Sequence, residues 1–142
     1  MSKGVPKAVV DMLKAVPLFS ECSTKEIREI ASVGTPVRVI DGKVLTEQGR
    51  PGLEFFLVIE GKARCLVDGA EVAQFGPGDF FGEMALLDHG PRHATVVADG
   101  QAELLVLNGA EFKHLLEASP SIAQKLLTAL AQRERANATI RS

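Results

Sequence analysis

Tryptophan and tyrosine are absent, and seven phenylalanines are the only aromatic residues, so any core must be mainly aliphatic. Cysteine is scarce as well. Cys22 and Cys65 admit at most one bridge, and Cys65 lies inside an apolar alternation, where a lone cysteine usually acts as a small core residue. No CxxC pair and no Cys/His cluster is present to hold zinc, so no metal is expected. The sequence also lacks an excess of one charge: 16 Lys and Arg stand against 18 Asp and Glu, a net charge of −2. That balance argues against the basic face of a dedicated nucleic-acid binder. Long apolar runs are missing too. The opening stretch MSKGVPKAVVDMLKAV is broken by Lys3, Lys7, Asp11 and Lys14, and reads as neither a signal peptide nor a membrane span. The expectation is a reduced, cytoplasmic protein with no membrane partner.

What is present fits one domain. A chain of 142 residues, 46% hydrophobic and 24% charged, buries roughly two-thirds of its unfolded surface and folds without staples. Helical spacing runs over about residues 5–34: Val9, Val10, Leu13 and Val16 recur before Pro17. Ser23 and Glu26 then form a capping-box pair ahead of Ile27, Ile30 and Ala31, in a helix that should end near Gly34. From 35 to 107 the texture is short strands and glycine turns. Asp41-Gly42 reads as a hairpin turn between Val37–Val39 and Val44–Leu45. Gly49-Arg50-Pro51-Gly52 is a loop, and Phe55 to Ile59 is a strand closed by Glu60-Gly61. Ala63, Cys65 and Val67 alternate up to Asp68-Gly69, which turns into Ala70–Phe75, and Gly76-Pro77-Gly78-Asp79 turns again. Two more strands are expected at about Ala94–Ala98 and Ala102–Leu107. This spacing predicts a mainly β, antiparallel jelly roll (double-stranded β-helix) rather than a parallel sheet. Residues 108–140 return to helix: Asn108 and Glu111 form a cap pair, Ser119-Pro120 starts the last helix, and Ile122, Leu126 and Leu130 make its stripe.

One segment breaks this pattern. Gly82-Glu83-Met84-Ala85-Leu86-Leu87 is too rich in helix formers for a strand and too short for an independent helix. Such local inconsistency is where functional sites are expected. A single helical turn presents unsatisfied N–H groups to an anion, and Gly82 allows close backbone approach. Arg92 offers a planar fork suited to a phosphate, and Glu83 accepts from hydroxyls. Together they describe a pocket for a ribose phosphate. The alternative is that Glu83 merely caps a helix and pairs with a surface cation.

The segment resembles the phosphate-binding cassette of cyclic nucleotide-binding domains, shared by the catabolite activator protein family, protein kinase A regulatory subunits and cyclic nucleotide-gated channels. It reads Phe81-Gly82-Glu83-Met84-Ala85-Leu86-Leu87, then Asp88-His89-Gly90, then Pro91-Arg92-His93-Ala94-Thr95, within residues 80–95. Val16-Pro17-Leu18-Phe19, Gly49-Arg50-Pro51-Gly52 before Phe55-Phe56-Leu57-Val58, Gly61 and Gly78-Asp79-Phe80 also match, so the resemblance covers nearly the whole chain. It implies that Glu83 accepts from the ribose 2′-hydroxyl and that Arg92 pairs with the cyclic phosphate. Backbone N–H groups of Gly82, Met84, Ala85 and the residues after Arg92, including His93 and Ala94, complete the cradle, with Phe81 beside it. Cys65 and Val72 fall where the family offers apolar contact to the purine; ordinary core packing uses the same side chains and stays open for both.

His93 departs from the family, which usually has Ala, Ser or Thr there. It lacks the hydroxyl linked to guanine contact, so the resemblance favours cAMP over cGMP as ligand. An imidazole there can instead reach phosphate or purine, or point outward while its backbone N–H serves. No aromatic follows Phe112 to act as a lid over the purine. The register with the catabolite activator protein places the lid near Asn137 and Ala138, with Arg133 one turn earlier; a solvated helix face is the alternative for this stretch. The function expected is a non-enzymatic sensor that moves its last helix on binding. The alternative is the ligand-binding half of a catabolite-activator-type regulator whose DNA-binding domain lies outside this sequence. His89, His93 and His114 form no ligand triad of the kind a jelly-roll metalloenzyme needs, and the intact Glu83–Arg92 pair argues against a ligand-blind module. The sensor fills these 142 residues, so its signal is expected to leave through a homodimer of the last helix, an effector protein or sequestration of the nucleotide.

Overall fold

The computed structural model describes residues 7–15, 19–52, 54–82, 91–125, 127–128 and 131–132. The order is α1 (Lys7–Lys14), α2 (Thr24–Val33), β1 (Thr35–Val39), β2 (Val44–Thr46), β3 (Glu54–Val67), β4 (Ala70–Phe75), β5 (Phe80–Phe81), β6 (Thr95–Asn108) and α3 (Gly109–Ala118). Residues 120–125 are helical again. The result is the expected mainly β class, a rolled antiparallel sheet flanked by helices at both ends.

Two strands of 14 residues, β3 and β6, pair along their length and form the spine. β1 and β2 both pair with β6, β4 pairs with β3, and β5 adds to β3 through Phe56↔Phe81 and Leu57↔Phe80. Both faces of the spine are buried, which is why Phe55 to Ile59 reads as an unbroken apolar run. Phe55, Leu57 and Ile59 join Leu105 and Leu107 under the helices, where Leu13, Ile27, Ile30, Leu115 and Ile122 complete the outer core. The alternate residues Phe56 and Val58 face into the roll with Leu104, Ala63, Cys65, Phe81 and Val96. The period-2 alternation of a strand thus divides one sequence run between two cores.

Three strand readings are corrected. Asp41-Gly42 closes no hairpin: β1 and β2 run in succession along the same partner, pairing with Ala102–Val106 and then with Val97 and Val96. Its turn is instead held against β6, with Gly42 N donating to Ala98 O at 2.9 Å and Gly100 N to Asp41 Oδ1 at 2.7 Å. Glu60-Gly61 does not end a strand, because β3 continues through it with register shifts against β6. At φ +89°, a Cβ on Gly61 would lie 2.4 Å from the Gln101 carbonyl oxygen, so glycine lets the two strands stay paired there. The two strands expected after residue 94 are likewise one, β6, carried through Gly100.

The helix caps match expectation. Ser23 Oγ accepts from Glu26 N while Glu26 Oε1 accepts from Ser23 N, and α2 ends at Gly34. Asn108 and Glu111 form the same reciprocal pair on α3. Ala123 N donates to Ser119 O as the chain re-enters helix. Ile122 is buried and Leu127 is exposed; Leu126 and Leu130 lie outside the described residues, as do Val16, Pro17 and Leu18. No helix among the described residues is long and apolar enough to cross a membrane.

Candidate functional site

Arg92 stands just before β6, and its main chain is stitched to the 47–52 loop. Its N–H donates to Arg50 O at 2.9 Å, and its carbonyl accepts from Gly49 N at 2.9 Å. Pro51 and Pro91 bridge alongside. This short ladder fixes where the side chain leaves the backbone.

The Arg92 side chain then turns inward, and the residue is only 7% exposed. A guanidinium held away from water is costly unless polar groups receive it. Here Nη2 donates to Glu54 O at 2.8 Å and Nη1 to Gly82 O at 3.1 Å. The cation also sits 6.0 Å from the centre of the Phe56 ring, within reach of its electron-rich face. Two glycines make the slot. A Cβ on Gly52 would lie 2.3 Å from Arg92 Nε; one on Gly82 would lie 2.9 Å from Nη1 and 2.5 Å from Glu54 O. Gly82 also takes φ +89°, a conformation costly for any side chain. The arginine is therefore oriented by backbone carbonyls and shaped by missing side chains. A rigid fork of this kind matches the two-oxygen geometry of a phosphate.

The other nominated residues divide. Gly82 lies beside Arg92, immediately after β5. Glu83, Met84 and Ala85 fall outside the described residues, as do Arg133, Asn137 and Ala138. His93 is exposed. Ala94 is half-buried, and its carbonyl accepts from the buried Thr46 hydroxyl at 3.0 Å. Phe81 is packed between Phe56 and Phe75, at centroid distances of 4.8 and 5.1 Å, and so forms part of the wall behind Arg92. Cys65 is buried in the inner core opposite Val96, and no disulfide joins it to Cys22. Val72 differs: it is 60% exposed, so the core-packing alternative for it is overturned. It lies on β4, which is exposed from Ala70 to Gln74, and at a bulge. Cys65 pairs with Ala73 and Leu66 with Glu71, leaving Val72 as the extra residue of β4.

Sequence reasoning missed the loop's part in this. Gly52 and the Glu54 carbonyl shape and hold the guanidinium, and Gln48 and Thr95 join the loop to β6 through a 3.0 Å bond from Gln48 N to Thr95 Oγ1. The repeated glycines of Gly49-Arg50-Pro51-Gly52 were the available signal. An open groove of about 360 Å³ lies elsewhere, lined by Arg38, Val39, Ile40, Glu60, Gly61, Gln101, Ala102 and Glu103. It contains none of the nominated residues. Arg92, with its charge and its fixed bonds, is the stronger indicator of chemistry.

Comparison with known proteins finds similarity along most of the chain. The profile of the cyclic nucleotide-binding domain matches residues 36–119. A cyclic nucleotide-gated potassium channel of Rhizobium etli is 37% identical over 123 residues, covering 86% of this chain and 34% of the channel. The chain spans about a third of the length of the curated relatives it matches. Among solved structures, the Thermus thermophilus catabolite activator protein superposes with a TM-score of 0.78 at 35% identity, covering 87% of this chain and 60% of that one. The regulatory domain of Toxoplasma gondii PKA, crystallised with cAMP, gives 0.75 at 29% identity, covering 89% and 49%.

Proposed function

The chain belongs to the cyclic nucleotide-binding domain family, and on that premise we propose that Arg92 receives the cyclic phosphate of cAMP and that binding repositions the helix beginning at residue 120. The observation that carries the reading is the buried Arg92 fork, aimed by the Glu54 and Gly82 carbonyls at the start of the cassette. A cyclic phosphodiester bears one negative charge, which one guanidinium neutralises. The Gly82 N–H is assigned to the same phosphate, and Glu83 to the ribose hydroxyl. The purine is assigned to Val72, exposed on its bulge, and to Cys65, which is buried.

cAMP is preferred to cGMP because His93 supplies no hydroxyl for guanine. The domain acts as a non-enzymatic sensor in the cytoplasm, without a cofactor. Ile122 packs in the outer core and Lys125 Nζ lies 3.0 Å from Glu26 Oε1, so the helix start is docked on α2. A ligand shifts such a docked equilibrium only by its difference in affinity for the two positions. A homodimer through that helix or an effector protein then reads the change. The catabolite-activator-type regulator remains the second reading, favoured by the match to the Thermus protein; it requires sequence-specific DNA binding by a longer protein. Displacement of a fluorescent cyclic nucleotide by cAMP at lower concentration than by cGMP, with cAMP recovered intact, is the expected result. Displacement by neither, or hydrolysis of cAMP, contradicts it.

A further inference from the structure

Gln48 links the loop that holds Arg92 to the turn between β3 and β4. Its backbone N–H is tied to Thr95 Oγ1, and the next residue, Gly49, donates to the Arg92 carbonyl. Its side chain reaches the turn between β3 and β4, two residues beyond Leu66, the ladder partner of Thr95. There Gln48 Nε2 donates to Asp68 Oδ1 at 2.9 Å, and Asp68 N donates to Gln48 Oε1 at 2.8 Å. The two bonds close a ring, and they need a group that donates and accepts in one plane. A glutamine amide does this; a glutamate would set one carboxylate against another. Asp68 has φ +53°, and among the described residues it is the one non-glycine at positive φ. Such a conformation persists where its surroundings over-determine it. The same turn leads into β4 and its Val72 bulge.

We propose that Gln48 is a positioning residue for nucleotide binding: it braces the β3–β4 turn, on the purine side, against the loop that holds Arg92, on the phosphate side. The proposal rests on the ligand reading above. Gln48 touches no ligand itself. It sets the distance between two walls that one small molecule must span, so its loss is felt by binding more than by folding.

The test uses four proteins: wild type, Gln48→Ala, Asp68→Ala and Asp68→Asn. The Asn variant keeps a side-chain oxygen for Gln48 Nε2 and tolerates positive φ. Titration with cAMP should show about a tenfold loss for Gln48→Ala and for Asp68→Ala, and near-wild-type affinity for Asp68→Asn. In nucleotide-free protein, amide exchange at Asp68, Gly49 and Arg92 should quicken in the two alanine variants and not in Asp68→Asn. Unchanged affinity, or unchanged exchange at Gly49 and Arg92, overturns the brace and leaves Gln48 a local clasp on the turn. Wild-type protein that binds no cyclic nucleotide overturns the ligand reading and the positioning role with it. That failure differs from failure of the brace, because the exchange pattern is read without ligand.

Discussion

Arg92 shows how a buried charge is made tolerable and useful by its backbone setting. Its partners are carbonyl oxygens of Glu54 and Gly82, which cannot leave by changing rotamer, and its neighbours at 52 and 82 lack side chains. Gly52→Ala is therefore a sharper probe than its size suggests. The new Cβ would lie 2.3 Å from Nε, so the guanidinium must leave at least one carbonyl, at the roughly 1–3 kcal/mol typical of overpacking. Cyclic nucleotide affinity should fall tenfold or more. Gly42→Ala is the control: it carries the strain of φ +85°, which Gly52 does not have, and meets nothing within 4 Å. It should lose stability without losing affinity, as thermal melting and titration of the two variants would show. Equal affinity losses in both would mean that general destabilisation, and not the Arg92 slot, is responsible.

Helix caps and strand ladders differ in how much of them a sequence displays. Both capping boxes are readable because each is closed within four residues, Ser23–Glu26 and Asn108–Glu111. Asp41-Gly42 misleads because its turn chemistry is local while the partner that decides the pairing, β6, lies more than fifty residues away. Gly61 and Gly100 look like strand ends and instead allow bulges in β3 and β6 for the same reason. The motif singles out Arg92 as the expected phosphate-binding residue, and the structure buries it. Its carbonyl partners were not legible, since a backbone oxygen carries no residue signature, and the Val72 bulge is a property of the pairing alone. Glu26 adds a testable consequence. Its carboxyl is lowered to about 2 from an ordinary 4.5, first by the Ser23 backbone N–H and then by Lys125, with Ser121 assisting. A depressed carboxylate stabilises the fold fully above its unfolded value and loses that contribution as pH falls toward its folded one. Glu26→Gln should accordingly melt below wild type at neutral pH, and the gap should close between about pH 4.5 and pH 2. A gap that stays constant over that window would remove the charge from the account.

Across the whole molecule, the outer core joins α2 and α3 to the helical segment at 120–125. Ile27 and Ile30 of α2, Leu115 of α3 and Ile122 share that core, and Lys125 reaches Glu26 above it. If nucleotide binding moves the segment at 120–125, the Glu26–Lys125 contact belongs to one of the two positions. Lys125→Met should then change cAMP affinity severalfold, with altered amide exchange confined to 120–125 and α2; unchanged affinity would separate that contact from binding. The central claim is simpler, that this domain binds a cyclic nucleotide through Arg92, and isothermal titration of wild type and Arg92→Ala with cAMP and cGMP tests it most directly. The account predicts saturable binding by wild type, tighter for cAMP. It predicts a loss of roughly 3–5 kcal/mol in a folded Arg92→Ala protein, about a hundred- to a few-thousand-fold. Equal affinity in the two proteins would contradict it.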